Sequence, residues 1–447
     1  MVKVITYGTY DLLHYGHIRL LQRAKELGDY LIVGVTADDF DKVRGKINVQ
    51  QSLMERVEAV KATGIADEVI IEEYEGQKID DIRRYGVDIF TVGSDWVGKF
   101  DYLNEYCKVV YLPRTEGISS SELRQTRRAV SLGLVGEADF LNKIEQESRY
   151  VNGIHVSGIC TRSLSRLSDA IRELGFATES YEELLDRVDA VYIRSQPEEH
   201  YAQVKLALER GKHVLCEAPM ALSEAQCREL QQLAEDKGLV LMDAIKTAYA
   251  TAYARMLLLL KGGKIGKVVS VDATCTSLRD TESQDPDEAG RHWDGVYEWG
   301  TTALLPVLQL LGVNYRSKTC AVRWFDEKKE HDSFLKADFV YPEAVATVKA
   351  GTGVKSEGEL IVSGTRGYVY VPAPWWKTDY FEIRYEDPNN NKRYFYQLDG
   401  EGIRYELVAF AKAVETGVRG YAIDASTSAA ICRFMEDFRS GKDLVEI

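Results

Sequence analysis

The sequence predicts an α/β protein in three parts. A doubly wound parallel sheet comes first, then a second α/β unit of the same kind, then a C-terminal α+β part with an open-faced sheet. Three observations carry this. Short apolar runs at Val4-Ile5, Tyr30–Val35, Val69–Ile71, Ile89–Val92 and Val109–Leu112 alternate with helical patterns. The alternation restarts at Val130 and continues through His155–Cys160, Ala190–Ile193, His213–Glu217 and Val240–Met242. After Gly263-Lys264-Ile265-Gly266-Lys267 the strands lengthen, over 268–273, 318–371 and 380–398, and two helices close the chain near 402–417 and 424–439. Strands buried on both faces read as unbroken apolar runs, and β–α alternation builds parallel sheets. The expected boundaries are 1–127, 128–250 and 251–447, with no Pro- or Gly-rich linker at Gln125–Ala129.

The first strand runs into Tyr7-Gly8-Thr9-Tyr10-Asp11-Leu12-Leu13-His14-Tyr15-Gly16-His17, and Ile18, Leu20, Leu21 and Ala24 then form one helical stripe. His14 and His17 therefore sit at a strand-to-helix turn, where unsatisfied backbone N–H groups favour phosphate. Gly8 and Gly16 let the backbone approach a ligand closely.

Composition narrows the partners to small molecules. With 70 acidic against 56 basic residues the formal charge is −14, which opposes non-specific nucleic-acid binding. The seven cysteines are scattered and never spaced C-x-x-C, so a disulfide framework or structural zinc site is not expected, and a reducing cytoplasm is. The aliphatic run Leu257–Leu260 is too short to span a bilayer, so no membrane insertion is expected. With the first strand starting at once, no signal peptide is expected.

The turn at Gly8–His17, with Gly93-Ser94-Asp95-Trp96-Val97-Gly98-Lys99-Phe100-Asp101 and Arg114-Thr115-Glu116-Gly117-Ile118-Ser119-Ser120, resembles three ordered motifs of the CTP:glycerol-3-phosphate cytidylyltransferases, nucleotidyltransferases with an H-x-G-H pair. The resemblance implies transfer of CMP from CTP, with Mg²⁺, to glycerol 3-phosphate or a similar polyol phosphate. The products would be pyrophosphate and a CDP-polyol for teichoic acid, capsule or another surface polymer. Charge then builds on phosphate oxygens, so positioning and electrostatics dominate catalysis. His14 and His17 would donate to the triphosphate, with Thr9, Tyr10 and nearby amides on the same oxygens. Lys46 and Arg44 would clamp phosphates from a loop. Ser119 and Ser120, beside Thr115 and Ile118, would open the last helix on the β/γ-phosphates. By resemblance, Asp11 and Asp95 lie near the nucleotide and metal, and Arg114 binds phosphate. Trp96, Lys99, Asp101 and Arg56 would face the acceptor. A solvated loop at 42–46, a plain helix cap at Ser119–Glu122 and a packing role for Trp96 remain open. One departure is Gly64, where the family has an arginine ahead of Asp67-Glu68-Val69.

From residue 130 the chain resembles the glucose-fructose oxidoreductase/inositol dehydrogenase family (Gfo/Idh/MocA), whose Rossmann-like unit is followed by an open sheet. Its catalytic residues do not follow. Gly136-Glu137-Ala138 replaces the Gly-x-Gly turn, with Ala138 adding a Cβ and Glu137 and Asp139 adding charge near a diphosphate. Ala218 in Glu217-Ala218-Pro219 replaces the family lysine, and Thr302 in Glu298–Thr302 replaces its histidine. Neither side chain serves acid–base chemistry near neutral pH. The module is therefore expected to be catalytically degenerate, a scaffold, interface or ligand sensor. The alternative is a bifunctional chain whose second module reduces a keto- or aldo-sugar phosphate. Lys246, Tyr249, His292 and Glu298 would then share the crevice with Gly136, Glu217 and Pro219. Thr161-Arg162-Ser163 stands where an acid holds the NAD ribose, so a retained cofactor would be NADP(H), although Arg162 also reads as a surface residue. The open sheet implies a homodimer or higher.

Overall fold

The strand β1 (Lys3–Gly8) is central to the first sheet because Val4, Ile5 and Thr6 are fully buried. Around it lie β2 (Tyr30–Thr36), β3 (Glu68–Glu72), β4 (Ile89–Gly93) and β5 (Lys108–Leu112), all parallel, in the order β3-β2-β1-β4-β5. A computed structural model describes residues 1–13, 15–37, 49, 51–73, 76–113, 129–172, 176–278, 293–325, 327–329, 331–396, 398–417 and 422–447. It divides into two compact units, Met1–Ala129 and Val130–Ile447. In the first, the strand order reverses between β1 and β4, and the crevice at such a switch is where α/β sheets bind ligands. Apolar layers fill both faces: Val4, Leu21, Leu31 and Val57 on one, Ile5, Ile32, Phe90 and Leu103 on the other. The helix Leu53–Ala62 starts with a capping box, Ser52 accepting from the Glu55 N–H and Glu55 from the Ser52 N–H. It stops at Gly64, whose φ of +65° suits glycine beyond a helix end.

The second unit holds two sheets. β6 (Val130–Gly136), β7 (Ile154–Cys160), β8 (Ala177–Thr178), β9 (Ala190–Arg194), β10 (His213–Glu217) and β11 (Leu241–Ala244) form a parallel sheet ordered β11-β10-β9-β6-β7-β8. β12 (Val268–Thr276), β13 (Ser317–Trp324), β14 (Asp332–Val340), β15 (Val345–Gly351), β16 (Leu360–Gly364), β17 (Tyr368–Val371), β18 (Tyr380–Arg384), β19 (Lys392–Phe395) and β20 (Leu444–Glu446) form a mixed sheet. Its order is β19-β18-β17-β16-β12-β15-β14-β13-β20. Period-two alternation sends Ala346, Val348 and Ala350 inward to a core completed by Met256, Leu305 and Phe434 from three helices. Thr347 and Lys349 point outward to Asp338 and Glu357, so the uncovered face is polar here.

The last two helices do not stay with the mixed sheet. Ile403, Leu407 and Phe410 of helix Ile403–Thr416 pack with Leu134, Tyr192 and Leu215 of the parallel sheet. Ala429 and Cys432 of helix Ala425–Arg439 join its other face. The C-terminus thereby returns to the α/β sheet and brings side chains to the carboxyl ends of its strands. No helix among the described residues is long and apolar enough to cross a membrane.

Candidate active sites

In the first unit, the turn after β1 and the turn after β4 lie on either side of the strand-order reversal. Thr9 and Asp11 are buried, and Tyr10 and Leu12 take left-handed φ values of 52° and 47°. That conformation is costly outside glycine and needs support from its surroundings. The support is visible. Asp11 Oδ1 accepts from the Gln51 N–H at 3.0 Å, and Gln51 Oε1 accepts from the Leu12 N–H at 2.8 Å. Arg56, fully buried, donates to the carbonyls of Thr9 (2.7 Å), Thr36 (2.8 Å) and Gln51 (3.1 Å). Arg56 was expected at the acceptor; its guanidinium instead holds the loop from beneath, out of reach of solvent. His17 lies half-buried on the first turn of helix Tyr15–Lys25, with the Tyr10 ring edge-on at 5.5 Å.

After β4, Gly93 leads into the turn Ser94–Trp96. Trp96 packs on Phe100 at 5.9 Å, exposed Lys99 sits 5.6 Å over the Trp96 ring, and Asp101 accepts from the Tyr111 hydroxyl at 2.7 Å. Packing on Phe100 accounts for Trp96 without a stacked base. Gly8 completes the near side: a Cβ there would meet the Tyr10 ring at 2.9 Å. His14, Arg44, Lys46, Arg114, Thr115, Ile118, Ser119 and Ser120 lie outside the described residues, as does the Asp95 side chain. Gly64, the departure from the family pattern, precedes the amino end of β3, at the sheet edge opposite the crevice.

Sequence reasoning missed one buried cluster. Lys78 forms an ion pair with Glu72, which accepts from Thr36 Oγ1 at 2.9 Å, and its ammonium lies 4.7 Å over the Tyr7 ring. Tyr7 donates to Asp81 at 2.8 Å, and burial first, then Asp81, pushes its phenol far above the usual range. A lysine in a helix gives no sequence sign that it is buried.

In the second unit, β6 ends at Gly136, with φ +133° and the Arg194 carbonyl 2.1 Å from where a Cβ would stand. Only glycine fits where β6 crosses β9. Ala138 was expected to crowd a diphosphate; its side chain is buried in the core beside Leu141 and Ile144, so it leaves the ligand face clear. Glu137 makes no side-chain cap to the following helix, and Asp139 is paired with Arg166 at 3.3 Å. Buried Thr161 accepts from the Ser163 N–H at 3.2 Å, and exposed Arg162 pairs with Glu199 at 2.7 Å. The glycine turn after β6 fits the close approach of a dinucleotide, which would bring redox chemistry to this crevice, while Arg162 is occupied by Glu199.

At the carboxyl ends of β9 and β10, the Tyr192 hydroxyl lies 2.6 Å from Glu217 and 3.2 Å from Glu406. One phenolic hydrogen cannot serve both. Burial raises the Glu217 carboxyl against the pull of Arg194, and burial with the Glu217 charge pushes Glu406 well up. The Tyr192 hydroxyl thus lies between two buried carboxyls, both of which burial pushes upward. The Lys246 charge acts on both carboxylates. Arg194 pairs with Glu298 at 3.0 Å and stacks 3.7 Å over Trp293. Tyr249 donates to the Asp243 carbonyl at 2.7 Å. His200, unnoticed in the sequence, is buried with its ring nitrogens 2.8 Å from the Pro219 carbonyl and 3.0 Å from the Ser195 carbonyl, tying the β9 and β10 turns together. Burial pushes it down to about 4. Ala218 is buried, Thr302 half-buried, and His292 lies outside the described residues.

Comparison with known proteins divides along the same line. A cytidylyltransferase-like family model matches residues 5–126, and an oxidoreductase family model with an NAD-binding Rossmann fold matches residues 130–244. Glycerol-3-phosphate cytidylyltransferase of Bacillus spizizenii is 50% identical over 125 residues, 28% of this chain and 96% of that enzyme. That of Staphylococcus aureus is 49% identical over 125 residues, 28% of this chain and 94% of its own length. Trans-1,2-dihydrobenzene-1,2-diol dehydrogenase of Bos taurus is 27% identical over 302 residues, 65% of this chain and 88% of its own. In structure, KijD10, a 3-ketoreductase from Actinomadura kijaniata in complex with NADP and TDP-benzene, aligns with a TM-score of 0.61 at 20% identity. The alignment covers 71% of this chain and 99% of that one, and at this identity it shows the fold alone.

Proposed function

From the premise that this chain belongs to the cytidylyltransferase-like family through its first unit, fused to a Gfo/Idh/MocA oxidoreductase-like unit, we propose that it transfers CMP from CTP to glycerol 3-phosphate or a similar polyol phosphate. The observation that carries the reading is the strand-to-helix turn at the switch between β1 and β4, with His17 on the first helical turn. The buried Arg56 and Asp11 tie that turn to Thr9 and Gln51, which supports a turn that needs little reorganisation during reaction. His17, with His14 three residues earlier, donates hydrogen bonds to phosphate oxygens as charge grows on them. The acceptor phosphate attacks the α-phosphorus, and pyrophosphate leaves. By the resemblance, Asp11 and Asp95 would lie near the nucleotide and any Mg²⁺, which would neutralise phosphate charge there, and Arg114, Lys46, Ser119 and Ser120 would hold the phosphates.

The test is pyrophosphate release with CTP and a panel of glycerol, erythritol and ribitol phosphates. His17→Ala lowers kcat by about 100- to 1,000-fold, as for loss of one charge-stabilising donor. An unchanged rate refutes the role.

A second reading is favoured by one observation: Lys246, Glu217, Tyr192 and Glu406 form an ionisable cluster at the carboxyl ends of β9–β11, although the family lysine position holds Ala218. On it, the second unit is an NADP(H)-dependent reductase of a carbonyl compound. Titration with NADPH and NADH decides it: micromolar NADPH binding with hydride transfer to a ketose phosphate supports turnover, and no binding of either nucleotide leaves a scaffold or ligand-sensing unit.

A further inference from the structure

Four stretches far apart in sequence converge beside the Glu217–Tyr192–Glu406 cluster. Lys143 comes from helix Ala138–Ser148, Lys246 from the turn after β11, Lys377 from the turn Trp375–Lys377, and Glu401 from the turn Gly400–Gly402. All three ammonium groups gather on the one carboxylate. Glu401 Oε2 is 2.7 Å from Lys143 and 3.2 Å from Lys246, and its Oε1 is 3.7 Å from Lys377. Among the described residues, Glu401 is the only carboxylate paired with any of these lysines. Three ammoniums on one paired carboxylate leave positive charge at this rim, and of the three only Lys246 also acts on Glu217 and Glu406.

The backbone of the carboxylate adds a second, independent observation. Glu401 has φ 53° and ψ 21°, between Gly400 at φ 56° and Gly402 at φ 96°. A glutamate in the left-handed region between two left-handed glycines is strained, and such strain clusters where a segment must be held for a ligand. The side chains stay reachable: Lys143, Lys377 and Glu401 are each 40% exposed and Lys246 28%.

We propose that Lys143, Lys246 and Lys377 form a binding site for the phosphate monoester of a small substrate, with Glu401 standing in for the phosphate when the site is empty. Two carboxylate oxygens shared among three ammoniums imitate part of what a tetrahedral monoester dianion offers with three terminal oxygens. The site sits next to Glu217, so a ligand held there by its phosphate lays its carbon chain along the crevice. The ligand class is a short polyol phosphate or its carbonyl form. This names the group that the reductase reading needs its substrate to carry. Its test reads equilibrium binding alone, so either idea can fail without the other.

The experiment is calorimetric titration of the full chain in the His17→Ala background, with dihydroxyacetone phosphate, dihydroxyacetone and inorganic phosphate as probes. Dihydroxyacetone phosphate and inorganic phosphate bind, and dihydroxyacetone does not. Lys143→Gln and Lys377→Gln each weaken phosphate binding about 10-fold, the worth of one charge-assisted hydrogen bond. Glu401→Gln tightens it about 10-fold by removing the competing charge, as does Glu401→Asn, which suits the left-handed backbone. Circular dichroism of each variant establishes that it is folded. Phosphate affinity that is unchanged in the lysine variants, or unchanged or weaker in both Glu401 variants, overturns the proposal.

Discussion

Replacing Arg56 with methionine tests whether the first crevice is held from beneath. The guanidinium makes two fully buried hydrogen bonds, to the carbonyls of Thr9 and Thr36, and a third, partly buried, to Gln51. Methionine keeps much of the volume and none of the donors. Leaving a buried acceptor unsatisfied costs about 1–3 kcal/mol, so the two buried carbonyls alone cost about 2–6 kcal/mol. A domain of this size has about 5–15 kcal/mol in hand, so the unit loosens but stays largely folded. At about 1.4 kcal/mol per tenfold, even the lower figure speeds opening of the loop by about 30-fold. Hydrogen–deuterium exchange with peptide resolution reads this directly in the full chain, at the amides of residues 9–12 and 51–56. The same loosening frees the strained Tyr10–Leu12 turn, so kcat for pyrophosphate release falls together with protection. Arg56→Lys, with one ammonium for three carbonyls, falls between wild type and Arg56→Met. Exchange within threefold of wild type in Arg56→Met refutes the reasoning.

Two further outcomes follow from the second unit. Gly136→Ala places a Cβ 2.1 Å from the Arg194 carbonyl at φ +133°, and strain plus overpacking cost about 2–6 kcal/mol; amide exchange across β6 and β9 accelerates by at least about 30-fold, and wild-type protection would be contrary. Asp243 is buried under the Ser428 hydroxyl, and burial raises its carboxyl to about 6 from 3.8. The folded state therefore holds the proton more tightly than the unfolded one, so this contribution is full below about pH 4 and is lost as pH rises through 6, about 3 kcal/mol in all. Asp243→Asn removes that slope, as denaturation of the second unit at pH 4 and pH 7 measures.

The first fold was legible because both of its signals are local. A parallel strand is an apolar run, and the stripe that follows the H-x-G-H turn puts His17 on the first turn of a helix whatever surrounds it. What the sequence could not give was which polar residues are buried. Arg56 reads, by the family resemblance, as an acceptor-binding cation, yet Thr9, Thr36 and Gln51 surround its guanidinium from three separate segments. Lys78 and Glu72 are six apart, but their burial depends on Tyr7 and Phe100 from other strands and turns. Gly64 looked like a lost phosphate contact because the family pattern assigns function to the position. Its left-handed φ gives the glycine a structural reason.

The second unit shows the same limit more sharply. Judged by motif positions, the crevice lost its lysine at Ala218 and its histidine at Thr302, and degeneracy followed. That inference assumes ionisable groups can reach the crevice only from those positions. The helix Ile403–Thr416 breaks the assumption, because it leaves the mixed sheet and packs on the parallel one. It carries Glu406 to Tyr192 across 214 residues, and the turn before it carries Glu401 to Lys143 across 258. With Lys246 acting on both Glu217 and Glu406, the crevice keeps two carboxyl groups, a phenol between them and an ammonium. Two motif losses therefore remove one arrangement of acid–base groups without emptying the site of ionisable side chains.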